Sequence, residues 1–258
     1  MEFEKIVDIH CHILPGLDDG PKDLEQSLSL AREAVKDGVT HILATPHHLD
    51  KQYVNHAKQV NEVTEKLQVA LDQAQIPLTV FASQEVHING DLDQRYADLL
   101  GVDEDKHYML IEFPHGSVPA YAKQLFFKLK SLGTTPIIVH PERNSDFQKD
   151  LSLLYDFIAN GALAQVTATS YLGGFGEQVA EVSYQMVKNN LVQVLGSDAH
   201  AMKGRGILMH EALDQIAKDF GEQKAILFEQ TAEDLLNGER VVAKGYTLPT
   251  KKKKFWLF

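Results

Sequence analysis

The sequence predicts an α/β domain built on a parallel sheet. Three observations carry this: short β-branched runs alternate with helical-period segments in seven strand-then-helix units; the strands are apolar along their whole length; and the strand ends repeatedly carry His, Asp or Glu. Alternating strands and helices give parallel sheets, and strands buried on both faces read as continuous apolar runs. Either an open doubly wound sheet or a closed barrel satisfies the pattern.

The first strand spans Ile6 to His10, followed by a helix with Leu24, Leu28, Ala31 and Val35 on one stripe and a stop at Gly38. Ile42 to Thr45 forms the second. Its helix carries Val60, Val63, Leu67, Ala70 and Ala74, and Pro77 leads into the third strand, Leu78 to Ala82. A short helix falls near Leu92 to Leu100. The fourth strand is Tyr108 to Phe113, with Ala122, Leu125, Phe126, Leu129 and Leu132 on the next helix before Gly133. The fifth (Pro136 to Val139), sixth (Leu163 to Thr167) and seventh (Val192 to Leu195) strands follow. Helices lie around Leu151 to Ala159, Val179 to Lys188, His210 to Phe220 and Thr231 to Asn237. No linker or repeat divides the body, so one domain over 1–248 with a tail at 249–258 is expected.

Composition narrows the function. The 258 residues carry 25 Lys and Arg against 36 Asp and Glu, a formal net charge of −11, which disfavours free-standing nucleic-acid binding. Apolar residues make up 44%, enough to close one large core. No apolar run reaches the roughly 18 residues of a membrane span, and the opening residues lack the order of a signal peptide. A cytoplasmic location is therefore expected, in keeping with a single cysteine, Cys11.

Chemistry in α/β folds gathers at the carboxyl ends of strands, and here those ends carry metal-binding residue types. The first runs into Asp8-Ile-His10-Cys-His12; strand alternation puts His10 and His12 on one face and turns Cys11 away. The second reaches Thr45-Pro-His47-His48, the third Gln84-Glu85, the fourth Glu112, the fifth His140-Pro-Glu-Arg143 and the seventh Ser197-Asp198-Ala-His200. Only the sixth, near Thr167 to Ser170, supplies no ligand type. One such histidine would be unremarked; six ends meeting on one rim make a metal site. His41, His56, His87, His107, His115 and His210 lack partners at ligand spacing and read as surface residues. His48 faces away from His47, where it either supports the site or does nothing.

These motifs, together with Asp18-Asp19-Gly20, resemble the polymerase and histidinol phosphatase (PHP) superfamily. More narrowly, they resemble its bacterial protein-tyrosine phosphatases of capsular and exopolysaccharide operons. The likeness runs from Ile6 to about Leu236. It implies a distorted (β/α)7 TIM-like barrel holding three divalent ions, with manganese favoured and iron or zinc possible on mixed nitrogen and oxygen ligands. Position by position it implies His10, His12, Glu85 and Asp198 at the first ion, and Asp19, His47 and His200 at the second. Glu112 and His140 fall at the third, with Glu85 bridging first and third. Either of the adjacent Asp18 and Asp19 could reach. Arg143 and Arg205 match the phosphate-binding arginines.

Four carboxylates against three divalent ions leave a site charge of about +2, suited to a phosphate dianion. The implied reaction is attack by metal-activated water, with both arginines on the non-bridging oxygens and no cysteine nucleophile. The rival cysteine mechanism needs Cys-x5-Arg, and Leu17 stands where that arginine belongs. Substrate choice is less determined by ligands, which see only the phosphate. Histidinol phosphate is the alternative small substrate, while likeness in Ile111-Glu-Phe-Pro114 and in Gln124 to His140 favours phosphotyrosine protein. Amidohydrolases also open with His-x-His but want a carboxylated lysine where Glu112 stands. A non-catalytic metal-binding adaptor would have little use for Arg143 and Arg205. The tail, Lys251 to Lys254 then Phe255-Trp-Leu-Phe258, suits transient contact with an anionic membrane, worth about 1 kcal/mol per lysine. The implied partner is a membrane-associated bacterial tyrosine kinase.

Overall fold

In the computed structural model, which describes residue 3 and residues 5–249, nine strands pair in parallel throughout. They are β1 (Ile6–Cys11), β2 (Val39–Ala44), β3 (His47–His48), β4 (Thr79–Ala82), β5 (Glu85–His87), β6 (Tyr108–Glu112), β7 (Thr135–Val139), β8 (Leu163–Thr167) and β9 (Val194–Gly196). One sheet runs β1-β2-β4 and the other β3-β5-β6-β7-β8-β9.

Seven strands were expected, and the larger number has a local cause. The two extra strands, β3 and β5, begin just beyond the expected ends of the second and third strands, Thr45 and Ala82. Thr45-Pro46 separates β2 from β3, and Pro46 has no N–H to continue a ladder. Ser83-Gln84 separates β4 from β5. The broken strands stay side by side across the gap, since Ser83 N–H donates to Ala44 O at 2.9 Å and Glu85 N–H to Pro46 O at 3.1 Å. The sheets curl until β1 meets the chain just beyond β9. There Cys11 bridges to Ala199, His12 N–H donates to Ala199 O at 3.0 Å, and Asp198 N–H donates to His10 O at 2.7 Å.

Two apolar layers hold this curl. Leu43, Leu110, Ile137, Val139, Leu163 and Val194 share one buried cluster. Their alternate neighbours, among them Ile42, Met109, Ile111, Ile138, Ala164 and Val166, belong to the larger cluster packed against the helices. Period-two alternation with both faces apolar is what a helix-covered parallel sheet demands.

The helices are α1 (Leu24–Lys36), α2 (Ala57–Gln73), α3 (Leu92–Arg95), α4 (Ala122–Ser131), α5 (Ser145–Lys149), α6 (Ser152–Ala159), α7 (Ala168–Tyr171), α8 (Glu177–Lys188), α9 (Met209–Phe220) and α10 (Glu222–Leu236). Several expectations are corrected. α1 buries Ser27, Leu30, Ala31 and Ala34; of the expected stripe, Ala31 is in the core and Leu28 and Val35 pack against it partly buried, while Leu24 is 44% exposed. Both sets have helical spacing; the smaller side chains let the helix sit closer to the sheet. α10 begins nine residues before Thr231, and α5 and α7 were not expected because one turn is too short for periodicity to register. Leu132 lies outside the packed face of α4, at 49% exposed. The basic-aromatic tail lies outside the described residues, and no helix among those described is long and apolar enough to cross a membrane.

At the end of β6, Phe113 meets Phe126 of α4, Phe147 of α5 and Phe157 of α6 with ring centroids 5.6–5.8 Å apart. Phe157 also touches Phe126 at 5.1 Å, edge to face. This cluster fixes the helices that flank His140 and Arg143. Phe157→Ala is expected to lower unfolding free energy by about 3–5 kcal/mol in urea titration, and a loss under about 1 kcal/mol would show the cluster to be dispensable.

Candidate metal centre

The centre is assembled from β1 outward. Consecutive residues of a strand face opposite ways, so His10 and His12 point together while Cys11 is buried on the other side with its Sγ 3.9 Å from Ala199 O. Each imidazole is then oriented through Nδ1. His10 Nδ1 donates to Gln165 Oε1 at 3.0 Å and His12 Nδ1 to Asp18 Oδ2 at 2.7 Å. Both Nε2 atoms are thereby turned to one point, 3.3 Å apart. A histidine held at one ring nitrogen and presenting the other is the usual arrangement of a metal ligand. His200 repeats it, with Nδ1 on Asp198 O and Nε2 3.0 Å from Asp19 Oδ1.

Three groups of ligand atoms result, each with all atoms within 4.8 Å of one another: His10, His12, Glu85 and Asp198; His12, Asp19, His47 and His200; and His47, Glu85 and Glu112. The first two contain every residue named for the first and second ions. The third differs in detail. Glu112 is grouped with Glu85 through His47, while His140 Nε2 lies 2.6 Å from Glu85 Oε1 and outside that group. Glu85 is common to the first and third sets. Of the adjacent aspartates, Asp19 faces His200 and His47, whereas Asp18 is used up by His12 Nδ1, Gly20 N–H and His47 N–H.

Burial makes this concentration of charge costly unless it is matched. Glu85 is fully buried, which raises its pKa, yet His47, His10 and His140 reverse that and hold the carboxyl well below its usual range. Asp198 behaves alike: burial raises it, and Arg143 beside it leads the groups that bring it well below. Burial and then Arg143 depress His140 to about 4, which keeps its imidazole neutral. Burial lowers His47, but Glu85 overrides this and lifts it to about 9. Two residues accept backbone strain to reach their places: His140 and Asp198 have φ of 35° and 49°, in the left-handed region.

The two arginines converge on one atom. Arg143 Nη2 and Arg205 Nη2 both donate to Asp198 Oδ2. Their Nε atoms are buried and have no acceptor in the protein. Planar guanidinium forks with spare N–H groups beside a cation-binding cluster suit a phosphate.

Some contributors were missed from sequence. Gln165 lies on the sixth strand, which supplies no ligand but orients His10; a glutamine amid Leu163-Ala-Gln-Val-Thr167 was the available signal. His87, read as a surface histidine, is within 3.0 Å of Glu112 Oε2. The exposed His115 has its ring 6.3 Å from that of His140. Tyr53 stacks on His47 with centroids 6.0 Å apart, and Phe175 lies over Arg143. His48 is buried with its Nε2 4.0 Å from Asp98, and burial lowers its pKa to about 4.

The donor set fits divalent ions on structural grounds. His47 Nδ1 and Glu85 Oε2 are both buried, face each other at 3.0 Å, and have no hydrogen bond within the protein. Nitrogen and carboxylate donors without thiolate suit manganese, iron or zinc.

The model of the family described as capsular polysaccharide synthesis, CpsB/CapC, matches residues 6–237. The chain belongs to the CpsB/CapC family. Among its relatives, the tyrosine-protein phosphatase YwqE of Bacillus subtilis is 40% identical over 255 residues, covering 98% of this chain and 100% of YwqE. The putative tyrosine-protein phosphatase CapC of Staphylococcus aureus is 35% identical over 254 residues, 97% of this chain and 99% of CapC. A crystal structure from work on YwqE of B. subtilis and CpsB of Streptococcus pneumoniae, described as unique metal-dependent tyrosine phosphatases, superposes with a TM-score of 0.92. It is 40% identical and covers 95% of this chain and 100% of the other. The organophosphorus hydrolase of Deinococcus radiodurans, 13% identical with a TM-score of 0.53 over 90% of this chain and 92% of its own, shares the fold alone.

Burial is the largest influence on the Cys11 thiol and pushes it well above its usual range, so a CpsB/CapC enzyme of this sequence has no thiolate to use. Cys11→Ser is expected to retain most phosphatase activity, whereas His140→Ala or treatment with a chelator removes it. A serine variant that is inactive while folded and metal-loaded would overturn the assignment.

Proposed function

We propose that this chain is a metal-dependent protein-tyrosine phosphatase acting in capsule or exopolysaccharide regulation. The observation that carries the reading is the pair of buried, acceptor-free guanidinium Nε atoms, both held on Asp198 at the edge of a cluster of imidazoles and carboxylates. That is a phosphate clamp placed against a cation site.

In this reading the nine strand segments are seven rods of a (β/α)7 barrel, two of them broken, with the body over 1–248 and the tail beyond it. Three divalent ions, manganese in preference to iron or zinc, would be held by His10, His12, Glu85 and Asp198; by Asp19, His47 and His200; and by Glu112 and His140. When bound, they supply charge neutralisation at the phosphate and make solvent water acidic enough to act as nucleophile. The protein's own groups do the rest. Asp18 and Gln165 keep the His12 and His10 rings in register, so the Nε2 donors do not rotate away. Arg143 and Arg205 bind the non-bridging oxygens and offset their charge as it builds. A phenolate leaves with a pKa of roughly 10, more readily than an alkoxide. No phosphoenzyme is required, and Cys11 has no part.

The substrate in this reading is a phosphotyrosine protein, a membrane-associated tyrosine kinase or its targets, met at the cytoplasmic face. Purified metal-loaded protein is expected to hydrolyse a phosphotyrosine peptide with a kcat/KM at least roughly ten-fold above that for histidinol phosphate; the reverse preference would replace this reading by a small-molecule phosphatase. Bound metal in elemental analysis without turnover of either ester would indicate an adaptor instead.

The tail is proposed as a recruitment element. Four lysines at about 1 kcal/mol each give reversible attraction to anionic lipid. Deletion of 251–258 is expected to reduce binding to phosphatidylserine vesicles and dephosphorylation of a membrane-embedded kinase, leaving peptide hydrolysis intact. Unchanged vesicle binding in the truncated protein would rule the role out.

A further inference from the structure

The sixth expected strand is the exception in the ligand pattern, and the loop that follows it, between α7 and α8, is built unusually. Residues 173 to 176 read Gly-Gly-Phe-Gly, and the glycines are structurally required. Gly173 and Gly176 have φ of +87° and +94°, a region that strongly favours glycine. At Gly174 a Cβ would meet Thr169 Cγ2 at 2.5 Å. Hydrogen bonds from Gly173 N–H to Ser170 O, Gly174 N–H to Thr169 O and Gly176 N–H to Gly173 O close the turn at 2.8–3.1 Å. The loop therefore has a fixed path and presents one side chain, that of Phe175.

That side chain does not serve the core. Phe175 is half-buried, yet it belongs neither to the buried clusters nor to the partly buried residues packed on them, unlike its near neighbours Tyr171 and Leu172. Its neighbour is a cation instead: the Arg143 guanidinium carbon lies 5.3 Å from the ring centroid. Arg143 in turn donates to Asp198, inside the ligand cluster. A phenylalanine held out of the core, on a rigid loop, beside a phosphate clamp adjoins whatever the phosphate is esterified to.

In an aryl phosphate a single oxygen separates the ring from phosphorus, so an aryl ring leaving the clamp must cross the zone beside it. We propose that Phe175 is a specificity-determining residue: its ring is the apolar wall on which the phenyl group of phosphotyrosine packs while Arg143 and Arg205 hold the phosphate. This rests on the phosphatase reading and deepens it, because it supplies what metal ligands cannot, a preference for an aromatic ester over an alkyl one. Offset or edge-on ring packing of this kind favours phosphotyrosine over phosphoserine without changing how the phosphate is bound.

The test uses the full-length, metal-loaded protein and two peptides of one sequence, carrying phosphotyrosine or phosphoserine. Phe175→Ala is expected to lower the aryl-over-alkyl ratio of kcat/KM about ten-fold, with KM for the phosphotyrosine peptide carrying the change. Phe175→Leu, which keeps apolar bulk but loses the ring, should fall between. Calorimetry with a peptide bearing a non-hydrolysable phosphonate analogue of phosphotyrosine, set against inorganic phosphate, should show the same loss of ratio in affinity. If Phe175 serves only to prop Arg143, both esters and inorganic phosphate weaken together and the ratio stands; that result overturns the proposal while leaving the phosphatase reading in place. A wild-type protein that prefers the alkyl ester would instead overturn both.

Discussion

The structure depends on keeping two carboxylates charged where water cannot reach them. Glu85 and Asp198 are buried among apolar strands, and an unmatched charge there would cost several kcal/mol. Each is faced by nitrogen atoms brought from different parts of the chain: His10, His47 and His140 around Glu85, and His12, Arg143 and Arg205 around Asp198. The curl of the sheet brings these ends to one place. The same gathering of imidazole nitrogens and carboxylate oxygens builds a site suited to divalent ions.

Anchors outside the ligand set hold the geometry. Asp8 is buried one pleat before His10 and accepts from Ser197 Oγ, from Ser197 N–H at 2.9 Å and from His10 N–H at 3.2 Å. It ties β1 to the segment that follows β9, from which Asp198 and His200 project. Burial lifts the Asp8 carboxyl to about 6 against the pull of these hydrogen bonds, so the anchor itself is poised between stabilisation and cost. The breaks at Thr45-Pro46 and Ser83-Gln84 act alongside it. Each redirects the chain immediately before a candidate ligand, His47 in one case and Glu85 in the other. The left-handed backbone at His140 and Asp198 costs roughly 1–3 kcal/mol per residue and is sustained by the packed Phe113 cluster on one side and the β1–β9 closure on the other.

Much of the site was legible because metal ligation is written in residue type and strand position. His-x-His on a strand puts two rings on one face by pleat geometry alone, and Asp198-Ala-His200 and His140-Pro-Glu-Arg143 were conspicuous against apolar strands. Less legible were residues whose role is to orient another side chain. Gln165 and Asp18 are ordinary polar residues until their distances to His10 and His12 are known. The same holds for Phe175, since a lone aromatic in a glycine-rich loop carries no periodicity.

By itself, then, the sequence determined the alternation of elements, the parallel sense of the sheet, that Cys11 faces away from His10 and His12, and the residue types on the rim. Those follow from local physics: side-chain period, proline and glycine geometry, and donor chemistry. Tertiary structure alone decided which candidate ligand atoms fall together, that Asp19 rather than Asp18 faces His200, that His140 leans on Glu85 instead of joining Glu112, and that α1 buries Leu30 and Ala34 beside Ala31 while Leu24 stays exposed. Those outcomes turn on separations of a few ångströms between residues up to 189 positions apart, set by how far the sheet curls before it meets itself. No local pattern encodes that closure.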